Sequence, residues 1–218
     1  GFALGVGNKF AQQVTSRLLK SKYLAPPMQK LNKYYLTSLA TEQIIGANTG
    51  SMVYHFALGV ESGSNKTLES ITKQITTDQI LHVIDQLVKH RFQSTYNFIA
   101  GFPNETIEDY KETLRTIYHI FEKCKYMVYP IPAPSFYCPL PGTKSFDDAV
   151  ALGHKSPNSF EEWSDVDYNL KEMAWISDEF HDFIIKSRDI INDINMKYTG
   201  EDAIITKADL EPLAKIMN

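Results

Sequence analysis

The sequence predicts an α/β fold, a partial (β/α) TIM-like barrel with a helical C-terminal extension. Short apolar, β-branched or aromatic runs alternate with longer stretches of helical period, the pattern of βα units around a parallel sheet. Four strand-like runs can be read from 218 residues, whereas a full barrel takes eight βα units and about 250 residues. The last third then turns to helical spacing throughout. We place residues 1–145 in the partial barrel and 146–218 in the mostly helical extension, because no repeat, low-complexity tract or composition shift marks a second domain.

The first strand is expected at 34–39, followed by a short helical piece at 41–47 that Gly46 and Gly50 end or loosen. The second, 53–60, is continuously apolar, as for a strand covered on both faces. Glu61-Ser62-Gly63-Ser64 turns the chain, and a helix over 76–90 carries Ile80, Ile84, Leu87 and Val88 on one face, with Thr76 or Thr77 as its cap. The third strand, 95–102, stops at Pro103. The next helix starts at Thr106 and puts Ile107, Tyr110, Leu114, Ile117 and Phe121 on one stripe. The fourth strand is expected at 126–131. Five of the ten prolines lie between Pro130 and Pro141, so this stretch is extended and neither a helix nor a central strand. Beyond it, Leu170, Met173, Ile176, Phe180, Phe183 and Ile184 share a helical face, and an amphipathic piece spans 207–217.

Composition narrows the function. With 22 basic and 26 acidic residues the net charge is −4, and no basic stripe offers an electrostatic grip on nucleic acid or on a membrane surface. The longest apolar runs fall far short of the roughly 20 residues that span a bilayer, and the first residues lack a basic signal-peptide region. Two cysteines, Cys124 and Cys138, make no disulfide framework and match no zinc or iron-sulfur spacing. The expected setting is reducing and cytoplasmic, and the sequons at Asn65 and Asn104 are expected to be unused. The six histidines form no metal-spaced pair, so no metal ligand is assigned. Asp165 and Asp167 read as a helix boundary as readily as a carboxylate pair.

In a parallel α/β sheet ligands bind at the carboxyl ends of the strands. Two segments sit there. In Gly59-Val60-Glu61-Ser62-Gly63-Ser64, an acid and two hydroxyls follow a buried strand, positioned either to bond a ligand's hydroxyls or to form a turn with Ser64 capping a helix. In Asn97-Phe98-Ile99-Ala100-Gly101-Phe102-Pro103-Asn104-Glu105-Thr106, Gly101 leaves the sheet surface bare for a flat ring. Here too a plain reading stands beside the functional one, since Thr106 and Asp109 make a capping-box variant.

Leu58-Gly-Val-Glu-Ser-Gly-Ser64 with Leu68 and Lys73, then Phe98-Ile-Ala-Gly-Phe-Pro-Asn-Glu-Thr106 with Glu108 and Asp109, then Pro139-Leu-Pro-Gly-Thr143 with Trp163, together resemble the second half of the radical S-adenosylmethionine (radical SAM) enzymes. The likeness is greatest to the branch whose members often carry a cobalamin-binding domain, and it covers about 32–163. It implies a six-strand partial barrel holding S-adenosylmethionine, with Glu61 and Ser62 on the ribose hydroxyls and Ile99 and Gly101 against the adenine. It assigns Glu105 to the acidic position that closes the fifth-strand motif and orients its loop, and the backbone of Tyr129 to Ile131 to the adenine edge.

The family's cluster loop, three cysteines spaced Cys-x3-Cys-x2-Cys, has no counterpart in this sequence. The [4Fe-4S] cluster, and cobalamin where that branch uses it, would therefore depend on a missing N-terminal half or a partner subunit. The chain alone is expected to be inactive and, with open strand edges, to self-associate. The expected partner is a small-molecule substrate, with neither nucleic acid nor a membrane span. The alternative is a relic that binds a nucleoside-like ligand or a protein without catalysis.

Overall fold

A computed structural model describes residues 55–89, 93–123, 131–164, 173–197 and 204–218. The strand expected at 34–39, the helical piece at 41–47, Tyr129, Cys124 and the pair Asp165 and Asp167 lie outside the described residues. Within them, strand β1 (His55–Glu61) leads through α1 (Asn65–Ser70) and α2 (Thr77–Lys89) to β2 (Gln93–Ala100), α3 (Ile107–Lys123) and the two-residue β3 (Ser135–Phe136). The extension carries α4 (Lys144–Ala151), α5 (Phe160–Ser164), α6 (Asp178–Met196) and α7 (Lys207–Met217).

The strands are parallel in the order β1-β2-β3, with Gly59 opposite Asn97 and Ile99 opposite Ser135. Parallel pairing needs a helical crossover, which α1–α2 and α3 supply. The strand expected at 126–131 lies, apart from Ile131, outside the described residues. Ile131 stands outside any strand, and among the described residues the pairing with β2 on this side comes from Ser135 and Phe136, inside the proline-rich stretch. A run with prolines at 132 and 134 can lend only a short edge strand, because proline has no N–H for the ladder.

Burial alternates along both longer strands. Leu58 and Val60 on β1, and Ser94, Tyr96, Phe98 and Ala100 on β2, are buried. Ala57, Gly59 and Glu61, with Thr95, Asn97 and Ile99, are half-buried or exposed. On β1 the second face is thus covered less completely than the first, its residues Ala57, Gly59 and Glu61 being half-buried. The buried face packs on Ile80, Val83, Ile84 and Leu87 of α2 and on Tyr110, Leu114, Ile117, Ile120 and Phe121 of α3 in one core. Each such side chain contributes about 1.5–3 kcal/mol of burial free energy.

The extension joins the same core through Phe180, Ile184, Ile191 and Ile194 of α6 and Leu210, Leu213 and Met217 of α7. Its helix starts later than the spacing at 170–184 suggests. Ser177 caps α6 by accepting from the Phe180 N–H, while Met173 to Ile176 form a turn closed by Ile176 N–H to Met173 O at 3.2 Å. A serine cap competes well with helix continuation, so the apolar spacing ran through a turn whose side chains still reach the core. Polar ties fix the extension further: Tyr110 and Ser187 hydroxyls meet at 2.8 Å, and Asn195 both accepts from the Ile131 N–H at 3.1 Å and donates to its carbonyl at 2.7 Å. No helix among the described residues is long and apolar enough to cross a membrane.

Candidate functional site

At the carboxyl end of β1 the ladder slips between Gly59 and Glu61, and Glu61 takes a left-handed backbone, φ 67°. A bulge of this kind re-aims a side chain. The Glu61 carboxylate turns back over Gly59, where a β-carbon would stand 2.6 Å from Oε1. There Oε1 accepts from Lys73 Nζ at 2.9 Å, both side chains being mostly covered.

Lys73 reaches that position because of how α1 ends. The Lys73 N–H donates to Leu68 O at 2.9 Å and the Thr72 N–H to Glu69 O at 3.0 Å, the paired bonds of a Schellman motif. The motif needs a left-handed residue past the helix cap, and Thr72 supplies it with φ 55°. Gln74 follows at φ 56°. Of the four non-glycine residues with positive φ among those described, Glu61, Thr72 and Gln74 thus surround one ion pair. Each such residue stores on the order of 1 kcal/mol or more, and this strain gathers where structure serves a ligand.

Ser62 is held differently. It is fully buried, its Oγ lies 3.0 Å from Thr113 Oγ1, and it accepts from the Ser64 N–H at 3.1 Å. Thr113 also accepts from the Gly63 N–H at 2.9 Å. The structure therefore separates two residues assigned together to a ribose: Glu61 lies half-buried on the sheet face opposite Leu58 and Val60, and Ser62 is fastened to α3. Asp109 completes this fastening, accepting from Ser64 Oγ at 3.3 Å and Lys66 Nζ at 2.7 Å while it caps α3 with Thr106. Burial alone pushes the Asp109 carboxyl up, but the hydrogen bonds from Lys66 and Thr106 outweigh it and hold the group below its ordinary value.

At the end of β2, Phe102 O accepts from the Glu105 N–H at 3.0 Å and Asn104 has φ 65°, which is a type II turn with Pro103 at its first corner. The Glu105 carboxylate accepts from the N–H groups of Gly101 at 2.7 Å and Phe102 at 3.3 Å through Oε2. Its burial pushes the carboxyl up to about 8 against these two bonds. The surface beside Gly101 is not bare. Gly101 has φ 80°, a β-carbon there would meet the Met173 sulfur at 2.8 Å, and Trp175 Nε1 donates to Gly101 O at 2.7 Å. The extension, whose distance in sequence hid it, fills that space. Ile99 remains half-buried against Phe102, Tyr137 and Ala149, and Ile131 keeps both backbone groups on Asn195.

Sequence reasoning quoted Lys73 without giving it work and missed Thr113, Met173 and Trp175. Lys73 could have been found only from the helix end before it, and the last two only from tertiary packing. An open hollow of about 430 Å³ beside the same Schellman turn, lined by Asn65, Glu69, Thr72, Gln74, Ile75 and Thr76, includes none of the assigned residues. Among the described residues no group of three His, Cys, Asp or Glu side chains is placed to hold a metal ion. The arrangement suits binding: a paired acceptor and cation, half-buried at the carboxyl end of β1, braced by two capped helices.

The model of the Radical SAM superfamily matches residues 39–117, a span that takes in β1, β2 and most of α3. The chain is 42% identical over 91 residues to a tRNA-2-methylthio-N(6)-dimethylallyladenosine synthase of Ehrlichia ruminantium (strain Gardel), covering 40% of this chain and 19% of that protein. It is 36% identical over 103 residues to the synthase of the same name from Wolbachia pipientis subsp. Culex pipiens, covering 46% and 22%. A third, from Buchnera aphidicola subsp. Baizongia pistaciae, is 32% identical over 115 residues, covering 51% and 24%. The chain thus spans about a fifth to a quarter of the length of these curated relatives. Nothing in these likenesses supports the cobalamin-carrying branch.

Proposed function

Because this chain belongs to the radical SAM superfamily through residues 39–117, we propose that it holds the adenosyl part of S-adenosylmethionine at the carboxyl ends of β1 and β2. One observation carries the proposal: the Glu61 carboxylate is pinned by Lys73 at the carboxyl end of β1, the strand that the resemblance equates with the family's fourth. With Oε1 held by Lys73, Oε2 is the acceptor for a ribose hydroxyl, and a charge-assisted bond of this kind is about twice as strong as a neutral one. Lys73 keeps the carboxylate from swinging away. Ile99, at the same end of the neighbouring strand, offers an apolar contact to the adenine ring. Ser62, Gly101 and Glu105 act one step back: Ser62 and Glu105 brace the two loops, and Gly101 lets Met173 and Trp175 approach.

The family implies a [4Fe-4S] cluster that supplies the electron for cleavage of S-adenosylmethionine. The residues of this chain do not fit such a cluster, since it has two cysteines in all and Cys138 is a free thiol that burial pushes above its ordinary range. With two cysteines the residues of this chain cannot supply the three thiolates of such a cluster by themselves.

The names of the relatives suggest, for the whole protein, methylthiolation of an N6-dimethylallyladenosine in tRNA. Calorimetric titration of the full chain with S-adenosylhomocysteine tests the adenosyl site. One-to-one binding that Glu61→Ala weakens about tenfold or more supports it, and equal affinity in the variant overturns it.

A further inference from the structure

Both backbone groups of Gly101 are tied, one from its own loop and one from far along the chain. Its N–H donates to Glu105 Oε2 at 2.7 Å, four residues on. Its carbonyl accepts from Trp175 Nε1 at 2.7 Å, across 74 positions. The indole that makes this second bond is itself held, with Tyr137 6.0 Å away at 73° and His154 5.7 Å away at 79°, edge-to-face contacts that fix a ring's orientation. Trp175 packs against both apolar clusters, the main core and the small one of Phe102, Tyr137 and Ala149. Ile99 packs on that same small cluster. Between Ile99 and Gly101, the Ala100 carbonyl accepts from the Tyr137 N–H at 2.8 Å, so the contacts of Trp175 and Tyr137 converge on residues 99–102.

We propose that Trp175 is a positioning residue for the adenosyl site, resting on the reading above for the ligand: through its bond to the Gly101 carbonyl it fixes the end of β2, and with it Ile99, so that the extension sets how tightly the adenine is held. Gly101 has φ 80°, one of several conformations that glycine visits at similar cost, and a loop hinged on it would by itself point in a range of directions. Trp175 on the carbonyl and Glu105 on the N–H leave one of them. Met173, whose sulfur would stand 2.8 Å from a β-carbon at Gly101, closes the space into which the loop could relax. A contact surface ordered before the ligand arrives is spared the cost of ordering on binding. Glu61 does not share this dependence, because its carboxylate is held by Lys73.

Calorimetric titration of the full chain with S-adenosylhomocysteine separates this role from a general contribution to stability. Trp175→Phe keeps a ring between Tyr137 and His154 and removes the N–H. It is expected to weaken binding about fivefold, with a thermal melt showing the chain still folded at the titration temperature. Ile99→Ala is expected to weaken binding by about as much. Both act on one contact, so the double variant binds little more weakly than either single one, whereas the effects of Trp175→Phe and Glu61→Ala multiply. Unchanged affinity in Trp175→Phe, effects of Trp175→Phe and Ile99→Ala that multiply, or equal coupling of Trp175→Phe to Ile99→Ala and to Glu61→Ala overturns the positioning role and leaves the adenosyl site standing. Absence of binding in the parent chain overturns the adenosyl reading and this role with it. Should Trp175→Phe unfold, Trp163→Phe leaves Trp175 as the single emitter of the chain's two tryptophans: a saturable change in its emission with the calorimetric midpoint supports the role, and a flat response overturns it.

Discussion

The Glu61 carboxylate and the Lys73 ammonium meet at 2.9 Å directly above Gly59. Gly59 is therefore a space reserved for a side chain two residues on. In Gly59→Ala the new carbon would come within 2.6 Å of Glu61 Oε1 and 3.5 Å of Lys73 Nζ. Both are ends of long side chains, so they swing aside at little cost, and alanine in a strand even gains about 0.5–1 kcal/mol over glycine. The expected result is an unfolding midpoint equal to or above that of the parent, with S-adenosylhomocysteine affinity reduced roughly tenfold or more as the carboxylate leaves its place. Calorimetry and thermal melts on the same sample check both halves.

Thr72 offers a prediction of the opposite sign. It is a β-branched residue held at φ 55° to close the Schellman motif after α1, where glycine is the usual occupant. A left-handed backbone costs a residue with a β-carbon about 1–2 kcal/mol, partly offset by the greater freedom glycine brings to the unfolded chain. Thr72→Gly is expected to stabilise the chain by about 0.5–1 kcal/mol, read from urea midpoints. A destabilised variant would show that the threonine side chain does more than tolerate the turn.

Much of this was legible in the sequence, and the parts that were not share a cause. The helices at 77–89 and 107–123 and the cap at Thr106 follow from periodicity and local side-chain chemistry, which act over three or four residues. Met173 over Gly101 spans 72 positions by simple subtraction, and Ser62 on Thr113 spans 51. No local pattern encodes either contact. Gly101 read as an open surface because a missing β-carbon signals close approach without naming what approaches. Ser62 read as a ligand group because a serine that braces a loop and one that meets a ribose look alike in sequence. The helix start at Asp178 was hidden in the same way, since Met173 and Ile176 keep helical spacing while sitting in a turn before the cap.

Glu105 makes stability depend on pH. Its carboxyl is raised from 4.5 to about 8 by burial, so between those values the folded chain keeps a proton that the unfolded chain has released. Folding is then favoured most below pH 4.5, weakens as pH rises, and levels off above about 8. Asp109 and Lys66 act on the same carboxyl with opposite signs. Glu105→Gln keeps an acceptor for the Gly101 N–H and removes the titration. It is expected to match the parent near pH 5 and to exceed its stability at pH 9, by up to a few kcal/mol. Glu105→Ala leaves the buried N–H groups of Gly101 and Phe102 unpaired and costs about 1–3 kcal/mol at either pH. Urea midpoints from pH 5 to 9 for the three chains settle the matter, and parallel curves for parent and glutamine variant would refute it.

The last prediction concerns the extension, which sequence periodicity set apart from residue 146 onward. Its polar ties reach back across the whole fold: Ser187 to Tyr110 at 2.8 Å, Trp175 to Gly101 at 2.7 Å, Asn195 to both backbone groups of Ile131, and Arg188 to Pro134 O at 2.8 Å with its guanidinium 4.7 Å over the Phe136 ring. Phe180, Ile184 and Leu213 lie in the same core as Leu114 and Ile117. Removing 146–218 would uncover that side of α3 and leave the Tyr110 hydroxyl without Ser187, and burial of several large apolar side chains at about 1.5–3 kcal/mol each exceeds the 5–15 kcal/mol by which a domain is usually stable. The truncated chain is therefore expected to be insoluble or unfolded. Asn195→Ala, a milder probe, should cost about 1–3 kcal/mol by leaving the Ile131 N–H and carbonyl unpaired. Tyr110→Phe and Ser187→Ala should each cost about 1 kcal/mol and, combined, less than their sum, since both remove one shared hydrogen bond. A cooperatively folding 1–145 fragment, seen by circular dichroism and a sharp melt, would show instead that the extension is an independent layer laid on a finished core.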